Sequence, residues 1–135
     1  MEKPARAAGA GRASGITAVL KASVADLLQR LPGPRTANWP DGERFTEAFA
    51  HGTLTVELYA PKATDPQKPH TRDEVYFVVS GSGEFVVGGE RAQFAAGDAL
   101  FAAAGVIHRF ENFSADFVTW VVFYRPDGGE KAGAT

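Results

Sequence analysis

Pro69-His70-Thr71-Arg72-Asp73-Glu74-Val75-Tyr76-Phe77-Val78-Val79-Ser80-Gly81 is the stretch on which the fold turns. Its first half places an imidazole and a carboxylate four residues apart. Its second half, residues 75–79, is an unbroken run of β-formers closed by a serine and a glycine, the pattern expected of a strand buried on both faces. Of the three histidines in the chain, a second, His108, also opens a β-rich run further along. Two imidazoles and one carboxylate beside strands are what a small β-barrel needs to hold one divalent ion.

Metal binding requires lone pairs that converge from rigid elements. His70 and Glu74 reach one point if the chain kinks near Arg72-Asp73, and His108 stands where another strand begins. Two histidines and one carboxylate with open positions suit octahedral iron(II), and also manganese, nickel or zinc. Against this stands the bland reading, in which isolated histidines of a β-protein are hydrogen-bonded structural or surface groups. His51, the third, falls in a predicted hairpin turn and reads as an exposed turn residue, with a fourth ligand as its alternative.

The rest of the chain excludes much. Its 135 residues suit one domain, and 44% of them are apolar, enough for a core without staples. The net charge of -2 gives no footprint for nucleic acid or an anionic membrane. There is no cysteine, which removes disulfides, thiolate metal sites and thiol nucleophiles together and fits a cytoplasmic protein. No apolar run approaches the roughly 18 residues of a membrane span. Residues 1–15 are rich in Ala, Gly and Arg, lack the apolar stretch of a secretory signal, and read as a disordered lead-in.

Outward from the opening stretch, the periodicity is that of strands and turns. Residues 16–22 are apolar but too short to assign. Ser23 reads as an N-cap, and Val24, Leu27, Leu28 and Leu31 follow at helical spacing before Pro32-Gly33-Pro34. This predicts a short helix over residues 24–30, packed on the outside of a barrel. Residues 45–50 and 54–59 flank His51-Gly52 as a hairpin. Residues 61–69 form a loop with three prolines. Gly81-Ser82-Gly83 predicts a turn, and Gly88-Gly89 joins residues 84–87 to 90–94 as a tight hairpin. A short strand over residues 99–101 and a long one over 117–124 complete the set. Eight or so short strands at intervals of roughly ten residues predict a sandwich or jelly-roll barrel. The expected organisation is a single domain over residues 16–125, with its barrel at about 45–124, and a flexible tail over 126–135.

Several side chains are candidates to line a pocket. Tyr76 alternates with Glu74 and shares its inward face; Phe110 and Asn112 likewise share a face with His108. Tyr59 and Glu57 share a face of the preceding strand. For Tyr76 and Phe110 the alternative is core packing; for Glu57 the choice lies between an outward position and a reserve ligand. Trp120 is core or pocket wall. Arg72-Asp73 and Glu90-Arg91 read as solvated turn charges.

At these spacings the chain resembles the cupin superfamily, over residues 53–124. The family's first motif is G-x5-H-x-H-x3/4-E-x6-G, and His70, Glu74 and Gly81 take its second His, its Glu and its closing Gly. The second motif is G-x5-P-x-G-x2-H-x3-N, matched by Gly97, Gly105, His108 and Asn112. Ala103 stands where the second motif has Pro. Lys68 stands where the first motif has its first His; an alternative alignment gives His70 that place and Arg72 the next.

The resemblance implies an all-β double-stranded β-helix, or jelly-roll, with a short N-terminal helix. It carries His70, Glu74 and His108 over as ligands of a divalent transition metal, with Lys68 near them. It implies a metal-binding protein acting on or holding a small polar metabolite, by dioxygenase, isomerase or lyase chemistry, and a homodimer. The alternative is a non-catalytic module of the same fold, binding a sugar-like ligand, metal-free with Lys68 paired to Glu74. Turnover and simple binding both fit, since no residue stands out as a separate acid or base. Neither reading calls for nucleic acid or a membrane as partner.

Overall fold

A computed structural model describes residues 19–130 of the protein. The expected lead-in over 1–15, the first part of the apolar stretch 16–22, and residues 131–135 of the expected tail lie outside the described residues. The elements are α1 (Val24–Leu28), β1 (Phe45–His51), β2 (Leu54–Tyr59), β3 (Asp73–Ser80), β4 (Ser82–Val87), β5 (Glu90–Ala95), β6 (Ala99–Ala102), β7 (His108–Glu111) and β8 (Val118–Tyr124). They form two antiparallel sheets, ordered β1-β2-β8-β3-β6 and β5-β4-β7, in a jelly-roll barrel.

Alternation along the strands builds the interior. The larger sheet turns Tyr59, Tyr76, Val78, Val121 and Phe123 inward, and the smaller sheet answers with Phe85, Phe94 and Phe110. Aromatic rings dominate this core and meet edge-on or tilted, as Phe110 does with Tyr76 at 4.9 Å and with Phe117 at 4.7 Å between centroids. Two turns show why glycine is required. Gly88 and Gly89 both have positive φ, 54° and 91°, the pair that a two-residue hairpin of matching twist demands. A Cβ on Gly81 would lie 2.6 Å from the Phe117 Cα, and its φ is 85°. The expected turn at 81–83 therefore narrows to Gly81, because Ser82 and Gly83 already pair with β5.

Two expectations change. Residues 75–79 are not buried on both faces: Phe77 is 49% and Val79 37% exposed, while Tyr76 and Val78 are buried. The sheet is antiparallel, with only one side of β3 facing the core, so the run of β-formers hides an ordinary alternation. The helix is two residues shorter than expected, ending at Leu28. Ser23 caps it by accepting the Asp26 N–H at 3.2 Å, and Leu27, 1% exposed, packs with Leu58, Ala48 and Val118 on the outer face of β1-β2-β8. Trp120 belongs to this outer cluster, so it is no wall of an interior pocket.

Asp73 also departs from its reading as a solvated turn charge. It is 4% exposed, and its carboxylate accepts the N–H of Ala104 and that of Glu130, each at 2.9 Å. Gly128 N–H donates to the Thr71 carbonyl at 2.6 Å, and Thr71 Oγ1 to Asp127 Oδ1 at 2.9 Å. Residues 126–130 of the expected tail thus run back along the chain just before β3. Among the described residues, no helix is long and apolar enough to cross a membrane.

Candidate metal centre

The two sheets bring the three expected ligands together. Glu74 is the second residue of β3, which lies between β8 and the edge strand β6 of the larger sheet. His108 opens β7 in the smaller sheet and faces it across the barrel. His70 ends the proline-rich loop before β3, and its carbonyl accepts the Gly105 N–H at 2.8 Å, which ties that loop to the β6–β7 connection. Among the described residues, His70, Glu74 and His108 form the group whose potential ligand atoms all lie within 4.8 Å of one another. All three are buried, at 5%, 0% and 2% exposure.

Each of these side chains is held by its surroundings. His108 Nδ1 lies 2.9 Å from the Val106 carbonyl, so the proton of a neutral ring sits on Nδ1 and the Nε2 lone pair points inward. His70 Nδ1 contacts Glu74 Oε2. The Tyr76 hydroxyl donates to Glu74 Oε1. His108 Nε2 approaches the same oxygen to 3.2 Å, an ion-pair distance without hydrogen-bond alignment. The Phe123 ring stands 5.3 Å from the His70 imidazole and the Phe85 ring 6.2 Å from that of His108.

The electrostatics follow. Burial by itself raises the Glu74 pKa, but the two imidazoles outweigh it and hold the carboxyl down to about 2. Burial lowers the His108 pKa, and the adjacent Glu74 more than compensates, leaving it raised. Tyr76 is pushed well up, first by burial and then by Glu74, so it stays a phenol and a donor.

The donor set fits a metal ion. His70 Nε2 and His108 Nε2 are both buried without a hydrogen-bond partner, an arrangement that costs free energy in a dry interior. A divalent ion that takes imidazole lone pairs and a carboxylate oxygen relieves that cost. Two histidines and a carboxylate leave open coordination positions, which suits iron, manganese, nickel or zinc.

The other candidates divide. Tyr76 stands beside Glu74 in the centre, and Phe110 packs behind it as core. Tyr59 is fully buried, with its hydroxyl donating to Asp65 Oδ1. Glu57 is buried on the inner face, 2% exposed, and is not among the three groups that converge. His51 is exposed, as the last residue of β1 paired with Leu54 rather than in the turn itself. Asn112 is exposed and hydrogen-bonds Glu84 Oε1 at 2.6 Å; its φ of 51° breaks the alternation that would have kept it on the His108 face. Lys68 is exposed too, and Glu74 takes its partners from His70, Tyr76 and His108, so the ion pair of Lys68 with Glu74 does not form.

Sequence reading missed Asp65 and Gln67. Gln67 is 9% exposed and turns inward where Lys68 turns out. Its Oε1 lies 3.2 Å from the Tyr76 hydroxyl, and its Nε2 donates to Asp65 Oδ2 at 2.6 Å. Asp65 also accepts the Phe110 N–H at 2.7 Å. The only signal in the sequence was a pair of polar residues between Pro61, Pro66 and Pro69.

Comparison with known proteins agrees with this architecture. A family model described as a cupin domain matches residues 55–124. An uncharacterised protein of Streptomyces coelicolor is 43% identical over 102 residues, which span 74% of this chain and 94% of that one. Among solved structures, a cupin 2 conserved barrel domain protein from Salinispora arenicola superposes with a TM-score of 0.52 at 20% identity, covering 60% of this chain and 74% of that one. The TT1209 protein of Thermus thermophilus superposes with a TM-score of 0.50 at 32% identity, covering 62% and 86%.

Proposed function

The chain belongs to the cupin domain family, and from that premise we propose that it is a metal-dependent cupin in which His70, Glu74 and His108 hold one divalent transition metal and a small polar metabolite is the substrate. The observation that carries this reading is the convergence of His70, Glu74 and His108, whose potential ligand atoms lie within 4.8 Å of one another, with two buried imidazole Nε2 atoms left without hydrogen-bond partners. When bound, the ion supplies Lewis acidity at its open positions, the chemistry on which dioxygenase, isomerase or lyase reactions draw. The chain's own groups do the rest. The Val106 carbonyl fixes the His108 tautomer, Tyr76 orients Glu74, and the rings of Phe123 and Phe85 stand beside the two imidazoles.

The rival reading is a non-catalytic module binding a sugar-like ligand. Its metal-free form called for a Lys68–Glu74 pair, which is not made, since Lys68 is exposed and Glu74 lies between two histidines. We take the second copy of a homodimer to cover the outer face of β3 and β6, where Phe77, Val79 and Phe101 are 49%, 37% and 52% exposed.

Metal content tests the proposal. Protein exposed to iron(II), nickel(II) or zinc(II) and then freed of excess ion is expected to retain close to one equivalent, and His108→Ala to lose it. Unaltered protein that retains none of them overturns the metal-dependent reading.

A further inference from the structure

We infer that Gln67 is a positioning residue for Glu74, acting through Tyr76 by drawing the Tyr76 hydroxyl proton partly away from the carboxylate. The inference rests on the metal site proposed above and goes beyond it to a residue that no cupin motif contains.

The argument begins at Asp65. Its carboxylate can only accept, so the side of the Gln67 amide that faces Asp65 Oδ2 at 2.6 Å must be the donating Nε2. The Gln67 backbone N–H points to Asp65 Oδ1 as well, at 3.3 Å. Held at both ends, Gln67 turns its carbonyl Oε1 toward the Tyr76 hydroxyl, 3.2 Å away. That hydroxyl also contacts Glu74 Oε1. Tyr76 therefore has one proton and two acceptors. Its ring is clamped between Phe85 and Phe110, at 5.5 Å and 4.9 Å, so only the hydroxyl rotor can adjust.

The consequence is electrostatic. A phenol that donates fully to Glu74 withdraws charge from the oxygen a cation needs. A second acceptor shares that proton and leaves more charge on the carboxylate. The groups involved are buried, with Tyr76 and Glu74 at 0% and Gln67 at 9% exposure, so the effect is little screened. Partners of this outer kind alter metal affinity by about 10–100-fold.

A double-mutant cycle reads the coupling, with cobalt(II) as the probe and its Kd taken from competition with a chromophoric chelator. Gln67→Met removes the acceptor and keeps the length; Gln67→Ala serves as a second variant should the first not fold. Either is expected to weaken cobalt(II) binding about tenfold when Tyr76 is present. In the Tyr76→Phe background the same change is expected to leave Kd within about twofold, because no proton remains to be shared. An equal loss in both backgrounds, or no loss in either, overturns the role of Gln67 while the metal site stands. Failure of the unaltered protein to bind cobalt(II) overturns the site and this role together.

Discussion

Glu74 on β3 and His108 at the head of β7 face each other across the barrel, with Oε1 3.2 Å from Nε2, a buried polar contact that joins the two sheets. Because the pair is buried, its charge state couples metal uptake to stability. In the metal-free protein Glu74 titrates at about 2 against an ordinary 4.5. A depressed carboxyl contributes stability above its unfolded pKa and loses it as pH falls through the folded one. Unfolding free energy of the chelator-treated protein is thus expected to drop between about pH 4.5 and 2, by about 3 kcal/mol from this group. Glu74→Gln removes that share of the slope, measurable by urea unfolding at a series of pH values.

The raised His108 pKa acts at the other end. Its contribution is present below the unfolded value of 6.5 and is lost as pH rises through the folded one. Metal binding runs the opposite way, since it needs the neutral ring. Affinity for zinc(II) is expected to increase with pH through this range, with proton release on binding measurable by calorimetry in buffers of different ionisation enthalpy.

Asp73 joins the start of β3, the β6–β7 connection and the segment 126–130 through its two accepted N–H bonds. Asp73→Ala leaves both donors without their acceptor, and each hydrogen bond to a charged group contributes about 1.5–3 kcal/mol. A loss of about 3 kcal/mol is expected in denaturant unfolding. Backbone N–H protection at Glu130 should fall with it, as hydrogen exchange will report.

The outer face of β3 and β6 gives a separate prediction. Phe77→Glu together with Phe101→Lys places charges on a surface already half exposed, so stability of the fold should change by no more than about 0.5 kcal/mol. The sedimentation coefficient should move from that of a dimer to that of a monomer. An unaltered protein that sediments as a monomer at all concentrations contradicts the homodimer.

The motif spacing made the convergence of His70, Glu74 and His108 legible in the sequence. Three residues between His70 and Glu74, and the glycine-to-histidine intervals ahead of His108, hold because turns of fixed length deliver those side chains to the barrel interior. What lay in the loop at 61–69 was not legible. Prolines impose no period of 2 or 3.6, so nothing in the sequence told that Gln67 points in and Lys68 out. Asp73 was misread because its donors, Ala104 and Glu130, lie far along the chain. The β-run at 75–79 concealed which residues face water, since Phe77 and Val79 are as apolar as the neighbours that face the core. Asn112 fell away from the site through its positive φ alone.

Helix α1 separates fold stability from site chemistry. It covers the outer face of β1-β2-β8, with the sheet between it and the interior group His70, Glu74 and His108. Leu27→Ala is expected to destabilise the protein by about 2–4 kcal/mol in thermal or urea unfolding. The zinc(II) Kd of the folded variant should remain within about twofold of the parent, as for distant, independent sites.

X-ray absorption on the zinc-loaded protein tests the central claim most directly. The account predicts a shell of nitrogen and oxygen ligands at about 2.0–2.2 Å with the outer-ring scattering of two imidazoles, and no retained zinc in His108→Ala once excess ion is removed. A bound zinc whose spectrum shows no imidazole scattering, or is unchanged by loss of His108, would contradict it.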